Sequence, residues 1–203
     1  MAMTSISRGG SHRWSLPNLL TYGRIVAVPL VVGCLFWPAT EAMRWTAFGL
    51  YAAAAVTDFF DGYLARAWSQ QSSLGRMLDP IADKLLVAAV LFMLVNDRTI
   101  VGANVVAAIV ILCREILVSG LREFLAELKV SIPVSKVAKW KTTAQLLALG
   151  FLICGPAGDE VLPANTGIGL TLLWIAALLT IYTGWDYLIS GIRHIIAIED
   201  ASP

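Results

Sequence analysis

The chain is divided into apolar stretches, and most of them would be long enough as helices to cross a bilayer. Six can be drawn, at residues 18–37, 44–66, 79–96, 100–124, 142–156 and 167–190, and a helix needs about 20 apolar residues to cross the hydrocarbon core. The fifth is short, so we expect it to begin earlier, near Val134. Since 58% of the residues are hydrophobic and only 14% are charged, we predict an all-α integral membrane protein with six transmembrane helices, built as a single domain over residues 1–203.

Basic residues are distributed unequally between the two sets of loops and helix ends. With a cytoplasmic N-terminus, the outer set carries only Arg44 and Arg98. The inner set carries Arg8, Arg13, Arg66, Arg76, Lys129, Lys136, Lys139, Lys141 and Arg193. Because basic residues concentrate on the cytoplasmic side of membrane proteins, we predict that both termini are cytoplasmic. Residues 1–17 are expected to form a short cytoplasmic or interfacial segment, with Trp14 at the level of the headgroups.

Four aspartates lie at regular spacings where the second apolar stretch ends and the third begins. The pattern is Asp58-x2-Asp61-Gly62-x2-Ala65-Arg66-x8-Gly75-x3-Asp79-x3-Asp83. On a helix, the first two aspartates share one face with the glycine and alanine that follow them, and the last two aspartates are one turn apart. Carboxylates this close to a bilayer are costly unless a cation neutralises them. The pattern therefore predicts a divalent-metal site formed by Asp58, Asp61, Asp79 and Asp83.

Small residues and one arginine accompany these acids. Gly62 and Ala65 leave their helix face without bulk, so a large ligand can lie against the backbone, and the forked cation of Arg66 suits a phosphate. A simpler interpretation is that the aspartates are solvated, and that Asp79 caps a helix with Pro80 at its first position. Capping is compatible with metal binding, but it does not account for four acids at the membrane surface.

A second charged group lies where the fourth apolar stretch ends and the fifth begins. Its four cations are Arg114, Arg122, Lys139 and Lys141. The two arginines are two helical turns apart, so the group can converge on an anion. The alternative is that nearby acids neutralise the arginines, while the lysines only follow the positive-inside rule. Those acids are Glu115, Glu123 and Glu127. Beside an aspartate site that needs an acceptor substrate, the anion-binding hypothesis is favoured.

The aspartate pattern resembles the signature of the CDP-alcohol phosphotransferases, and each of its specified positions is matched. Other stretches resemble the phosphatidylglycerophosphate synthases of bacteria, which are members of that family. These enzymes transfer a phosphatidyl group from CDP-diacylglycerol to sn-glycerol 3-phosphate and release CMP. These stretches are SLPNLLTYGR at 15–24, LDPIADK at 78–84, REILVSGLREFLAE at 114–127 and KVAKWKTTAQ at 136–145. The similarity runs from about residue 15 to 150, and the last apolar stretch is generic.

The resemblance implies a role for each group. Two Mg²⁺ or Mn²⁺ ions would be held by the four aspartates, with Asp83 also acting as the general base on the glycerol hydroxyl. CDP-diacylglycerol would bind at Gly62, Ala65, Arg66 and Gly75. Glycerol 3-phosphate would bind at the four cations, Arg114, Arg122, Lys139 and Lys141. Asn18, Thr21 and Arg24 also belong to the family pattern, but the sequence assigns them no individual role.

The resemblance further implies a homodimer in the bacterial inner membrane, with its active site at the cytoplasmic face and no nucleic-acid partner. Other acceptors stay open, as in a cardiolipin synthase or a phosphatidylserine or phosphatidylinositol-phosphate synthase. A divalent-cation transporter is an alternative of a different class, because it too can place aspartates between helices. Against it, no apolar stretch carries a matching acid toward the far side of the membrane.

Overall fold

The residues described by the computed structural model form a bundle of six α-helices. They are α1 (Leu16–Phe36), α2 (Glu41–Trp68), α3 (Ser73–Asn96), α4 (Asn104–Glu127), α5 (Lys136–Val161) and α6 (Asn165–Asp200). The structure describes residues 16–37, 40–68, 73–128, 130 and 136–200, and within these it contains no strand. The all-α prediction is therefore confirmed. Most of the predicted interfacial segment, residues 1–15, lies outside the described residues.

Three helices of the described chain are apolar and long enough to cross a bilayer. The segments are Leu19–Phe36, Asn104–Glu127 and Asn165–Ile196. The other three helices, α2, α3 and α5, are 28, 24 and 26 residues long, and they carry most of the charged residues of the predicted sites. Six helices are thus present, while the crossing of the membrane by all six stays a prediction.

Two helices, α3 and α5, begin more than one turn before the predicted apolar stretches. Helix α3 begins at Ser73, which places Pro80 inside the helix. Asp79 is therefore not the cap of a helix that begins at Pro80, and that interpretation is wrong. Pro80 cannot donate the helical hydrogen bond to the carbonyl four residues earlier, and α3 nevertheless continues through it to Asn96. Helix α5 begins at Lys136, earlier than residue 142, as expected from the short fifth stretch.

The core runs along the middle of the bundle. Helix α1 packs against α2 and α3, and α6 packs against α4 and α5. Large buried side chains such as Leu94, Leu149 and Leu173 fill this core, and buried alanines such as Ala47 and Ala148 let helices approach closely. Many large apolar side chains remain exposed on the outer surface, which suits a surface in contact with lipid.

Helix α5 is broken near the end of the bundle that the α3–α4 connection occupies. Gly155 has φ of 48° and is followed by Pro156, and this left-handed conformation favours glycine. The break leaves backbone carbonyls without helical partners. The Asn165 Nδ2 atom donates to the carbonyl oxygens of Phe151 at 2.9 Å and of Gly155 at 3.1 Å. The start of α6 is thereby fastened to the break in α5.

Arg44 completes this end of the bundle. Its Nη2 atom lies 2.7 Å from Oδ2 of Asp97 and 3.2 Å from Oγ1 of Thr99. Its Nη1 atom donates to the carbonyl oxygen of Ile153 at 3.2 Å. One buried guanidinium therefore connects α2, the α3–α4 connection and the broken segment of α5.

Candidate active site

Three of the four signature aspartates meet around one arginine. Asp58 lies in α2, and Asp79 and Asp83 lie one turn apart in α3. The Nη1 atom of Arg24, in α1, is 2.8 Å from Oδ1 of Asp58 and 3.2 Å from Oδ1 of Asp79. The same nitrogen also forms an ion pair with Asp83. All three carboxylates therefore converge on a single nitrogen atom of one side chain. We call these four residues the acidic cluster.

Burial gives the acidic cluster an inner and an outer side. The side chain of Arg24 is 1% exposed, whereas those of Asp58, Asp79 and Asp83 are 43%, 38% and 46% exposed. The guanidinium thus closes the inner side, and each carboxylate keeps an accessible edge. With three acids against one guanidinium, the ionised cluster has an excess of negative charge that favours cations.

Arg24 is one of the three family-pattern residues to which the sequence assigned no individual role. A signal was nevertheless present, because a charged residue in an apolar helix requires a partner, and Arg24 lies in the first apolar stretch. Which of the acids it meets depends on the packing of α1 against α2 and α3. Thr21, one turn earlier, is also buried, while the side chain of Asn18 lies outside the described residues.

The other predicted residues of this site are located by the backbone alone. Helix α2 is continuous to Trp68, so the signature residues in it keep the spacing of one helix face. The side chains of Asp61, Ala65 and Arg66 lie outside the described residues, as does the surrounding of Gly62. Gly75 lies in the first turn of α3, close in sequence to the aspartates of that helix.

The donor atoms of the acidic cluster fit a hard divalent cation. Carboxylate oxygens with accessible edges are the ligands that Mg²⁺ and Mn²⁺ prefer. Among the residues whose side chains are described, no three acids, histidines or cysteines are grouped as a ready-made metal site, since the three aspartates surround Arg24. Asp61, the fourth ligand predicted from the sequence, has its side chain outside the described residues.

The second charged group is organised around a glutamate. Glu115 of α4 forms an ion pair with Lys141 of α5, and its Oε1 atom is 3.6 Å from Nη1 of Arg114. The Nη2 atom of Arg114 donates to Oγ1 of Thr183, in α6, at 3.2 Å. The pairing of a glutamate with an arginine, which was the alternative to anion binding, is thus present, and a lysine is added to it. We call Glu115, Arg114 and Lys141 the basic cluster.

The remaining two cations of the group lie at the surface. Arg122 and Lys139 are both exposed, and the guanidinium carbon of Arg122 is 5.8 Å from the ring centroid of Tyr187, a cation–π distance. Lys141, by contrast, is buried. The structure therefore divides the four predicted cations into an inner pair joined by Glu115 and an exposed outer pair.

An apolar groove of about 730 Å³ lies between α2, α5 and the start of α6. On α2 it is lined by Trp45, Phe48, Ala52 and Ala55 among others. The last three follow the helical repeat of one face, and the same repeat continues through residues 59, 62 and 66. The groove thus follows the face of α2 that leads to two of the predicted CDP-diacylglycerol-binding positions.

Comparison with known proteins decides the family. Residues 14–182 match the family model described as CDP-alcohol phosphatidyltransferase. The chain belongs to this family. The family predicted from the aspartate signature is therefore confirmed, and the matched region includes the acidic and basic clusters.

Three bacterial relatives are similar over nearly their whole length. A Rickettsia bellii protein is 46% identical over 173 residues, which cover 85% of this chain and 93% of the relative. A Cereibacter sphaeroides protein is 40% identical over 207 residues, covering 86% and 94%, and one of Escherichia coli K12 is 38% identical over 184 residues, covering 87% and 94%. Each relative is named CDP-diacylglycerol–glycerol-3-phosphate 3-phosphatidyltransferase.

Proposed function

We propose that this chain transfers the phosphatidyl group of CDP-diacylglycerol to sn-glycerol 3-phosphate, forming phosphatidylglycerophosphate and CMP. The observation that carries the proposal is the acidic cluster, in which Asp58, Asp79 and Asp83 converge with accessible edges. The names of the relatives support the choice of substrates.

Two Mg²⁺ or Mn²⁺ ions would be held by Asp58, Asp61, Asp79 and Asp83. When bound, such ions neutralise the charge of the diphosphate and of the departing CMP. Arg24 orients the three carboxylates that it contacts from the buried side of the acidic cluster. Asp83 takes the proton from the attacking hydroxyl of glycerol 3-phosphate. A bond forms between that hydroxyl oxygen and the phosphorus that bears diacylglycerol, and the bond from this phosphorus to the oxygen of CMP breaks, with its electron pair leaving on CMP.

The apolar groove is the proposed site of one acyl chain of CDP-diacylglycerol. It extends along α2 from Trp45 to Val56, within one turn of Asp58, a distance of about 17 Å at the rise of an α-helix. One leaflet of the hydrocarbon core is about 15 Å deep, so the groove is long enough for the chain of a lipid whose phosphates lie at the aspartates. Gly62, Ala65 and Gly75 leave room for the nucleotide, and Arg66 binds phosphate.

The acceptor phosphate is assigned to the basic cluster and its outer pair. Arg114 and Lys141 are held close together by Glu115, and two cations exceed the charge of the one glutamate between them. Arg122 and Lys139 are exposed and can attract the dianion from water. Serine is zwitterionic and phosphatidylglycerol carries a single negative charge, so both would need fewer cations than the glycerol 3-phosphate dianion, which is preferred for this reason.

All six helices are proposed to cross the bacterial inner membrane, with both termini and the active site at the cytoplasmic face. The unequal distribution of basic residues supports this orientation. A homodimer is proposed from the family resemblance.

The test is an acceptor competition with the purified full chain. CDP-diacylglycerol and Mg²⁺ are supplied with glycerol 3-phosphate, serine, inositol phosphate or phosphatidylglycerol in separate reactions, and CMP release is measured. We expect release only with glycerol 3-phosphate, and none in excess chelator. Release with another acceptor would replace the proposed substrate. Absence of CMP with every acceptor, together with metal flux into proteoliposomes, would favour the transporter.

A further inference from the structure

The guanidinium of Arg24 lies between carboxylates that would otherwise repel one another. One of its nitrogen atoms contacts carboxylates from two different helices, α2 and α3, while Arg24 itself belongs to α1. Two of these contacts, to Asp58 and Asp79, are at 2.8 and 3.2 Å. The contact with Asp58 is in the range of a charge-assisted hydrogen bond, whereas the contact with Asp79 is an ion pair in which Oδ1 accepts no hydrogen bond from the described residues. The three helices are thereby joined at one charged atom.

Without this guanidinium, the same three carboxylates would face one another across a short distance. Like charges at such separations repel strongly where the surroundings are partly buried. Helix α1 would also bury a neutral side chain against the acids of α2 and α3. The cluster would then be held together only by cations taken from solution.

We infer that Arg24 is a built-in counter-ion of the metal site. It keeps the carboxylates of Asp58, Asp79 and Asp83 gathered before a metal binds, and it makes the stability of the fold less dependent on divalent cations. Arg24 is thus a positioning residue of the acidic cluster. The inference rests on the proposed metal site and assigns to α1 a function that the aspartate signature does not include.

The competing explanation is that Arg24 is only a buried structural residue. Arg44 provides the matched control, because it is also a buried arginine in an ion pair with an aspartate. Its partner, Asp97, lies at the end of the bundle where Gly155 breaks α5. A substitution there removes a buried guanidinium without changing the acidic cluster.

The experiment compares wild-type protein, Arg24→Gln and Arg44→Gln in detergent, and it measures the thermal unfolding midpoint in chelator and in saturating Mg²⁺. Arg24→Gln should lose about 10 °C in chelator. Mg²⁺ should restore more than half of that loss, because the ion supplies the missing positive charge and stabilises the folded state that binds it. Arg44→Gln should lose a similar amount, and the loss should be the same in chelator and in Mg²⁺.

A charge-balancing variant tests the same inference if Arg24→Gln is too unstable to purify. In Arg24→Gln combined with Asp79→Asn, one negative charge is removed together with the guanidinium. This double variant should unfold at a higher temperature in chelator than Arg24→Gln, or should be recovered from membranes where Arg24→Gln is not. A double variant no more stable than the single one overturns the inference.

The remaining outcomes separate the inference from the proposed function. If Mg²⁺ raises the midpoint of wild-type protein but leaves the loss in Arg24→Gln unchanged, Arg24 is structural and the metal site stands. If Mg²⁺ and Mn²⁺ raise the midpoint of neither protein, both the metal site and the inference are overturned.

Discussion

The two buried arginines Arg24 and Arg44 lie in different surroundings. Arg44 meets one carboxylate, Asp97, whose side chain is 10% exposed, and its remaining contacts are a hydroxyl and a backbone carbonyl. Among the residues whose side chains are described, Arg24 meets three carboxylates, each about 40% exposed. The first arrangement balances its charge and is closed to solvent. The second leaves negative charge in excess and open to solvent.

This difference distinguishes an ion pair that stabilises a fold from one that belongs to a binding site. The positive charge of Arg44 is balanced by the carboxylate of Asp97, so this pair does not need a charged ligand. Charge around Arg24 is satisfied only in part, and cations from solution can complete it. The basic cluster has the opposite sign, with Glu115 between two cations, and an anion can complete it in the same way.

The largest expected effect is on turnover, and it should be confined to the aspartates around Arg24. Asp58→Asn and Asp79→Asn should each lower kcat by at least about 100-fold, because each removes a charged ligand of the reacting centre. The matched control is Asp97→Asn, which should retain kcat per folded molecule. Equal losses of kcat in all three variants would remove the functional distinction between the two arginine sites.

Asp83→Asn should separate proton removal from substrate binding. We expect a fall in kcat of about 100- to 10,000-fold, the usual range for loss of a general base, with little change in the affinity for CDP-diacylglycerol. The measurement is single-turnover CMP release beside equilibrium binding of the lipid. An affinity that falls as far as the rate would make Asp83 a metal ligand rather than the base.

At the Arg44 end, the expected effect is on stability. Asp97→Asn leaves a buried guanidinium without its carboxylate, which costs about 3–5 kcal/mol for a buried ion pair. The unfolding midpoint should fall by about 10 °C for a chain of this length, and chelator should not change the difference from wild type. An unaltered midpoint would mean that the Arg44–Asp97 pair contributes little to the fold.

The basic cluster should give a smaller effect, seen in KM. Arg114→Ala or Lys141→Ala should raise the KM for glycerol 3-phosphate about tenfold or more, since a charge-assisted hydrogen bond contributes about 1.5–3 kcal/mol and 1.4 kcal/mol is tenfold. The exposed Lys139 serves as control, and Lys139→Ala should change KM less. Parallel rises in the KM for CDP-diacylglycerol would argue against a separate acceptor site.

Labelling of single cysteines should show which end of the bundle, that of Arg24 or that of Arg44, faces each side of the membrane. These substitutions should have almost no effect on the unfolding midpoint. Thr40→Cys, near Arg44, and Leu128→Cys, at the end of α4, are both at exposed positions. In a background without native cysteines, a membrane-impermeant reagent added from outside should label the first and spare the second. Labelling of the second alone would invert the proposed topology.

Local regularities of the sequence determined the helices, the family and the grouping of the acids. Apolar stretches of bilayer length predicted six helices, and the spacing of Asp79 and Asp83 placed them on one face, because the helical repeat depends only on near neighbours. The start of α3 was not predicted, since Pro80 resembles a first helical residue when only its neighbours are considered.

Only the tertiary structure decided which charges meet. Arg24 and Asp83 are 59 residues apart in sequence, and Arg44 reaches a carbonyl 109 residues away, so neither contact is encoded in a local pattern. The same holds for the four cations after α3, which the packing of α4, α5 and α6 divides into an inner pair joined by Glu115 and an exposed outer pair. The partner of each charged side chain depends on which helices pack against each other. Helix packing is a property of the whole buried core rather than of any one segment.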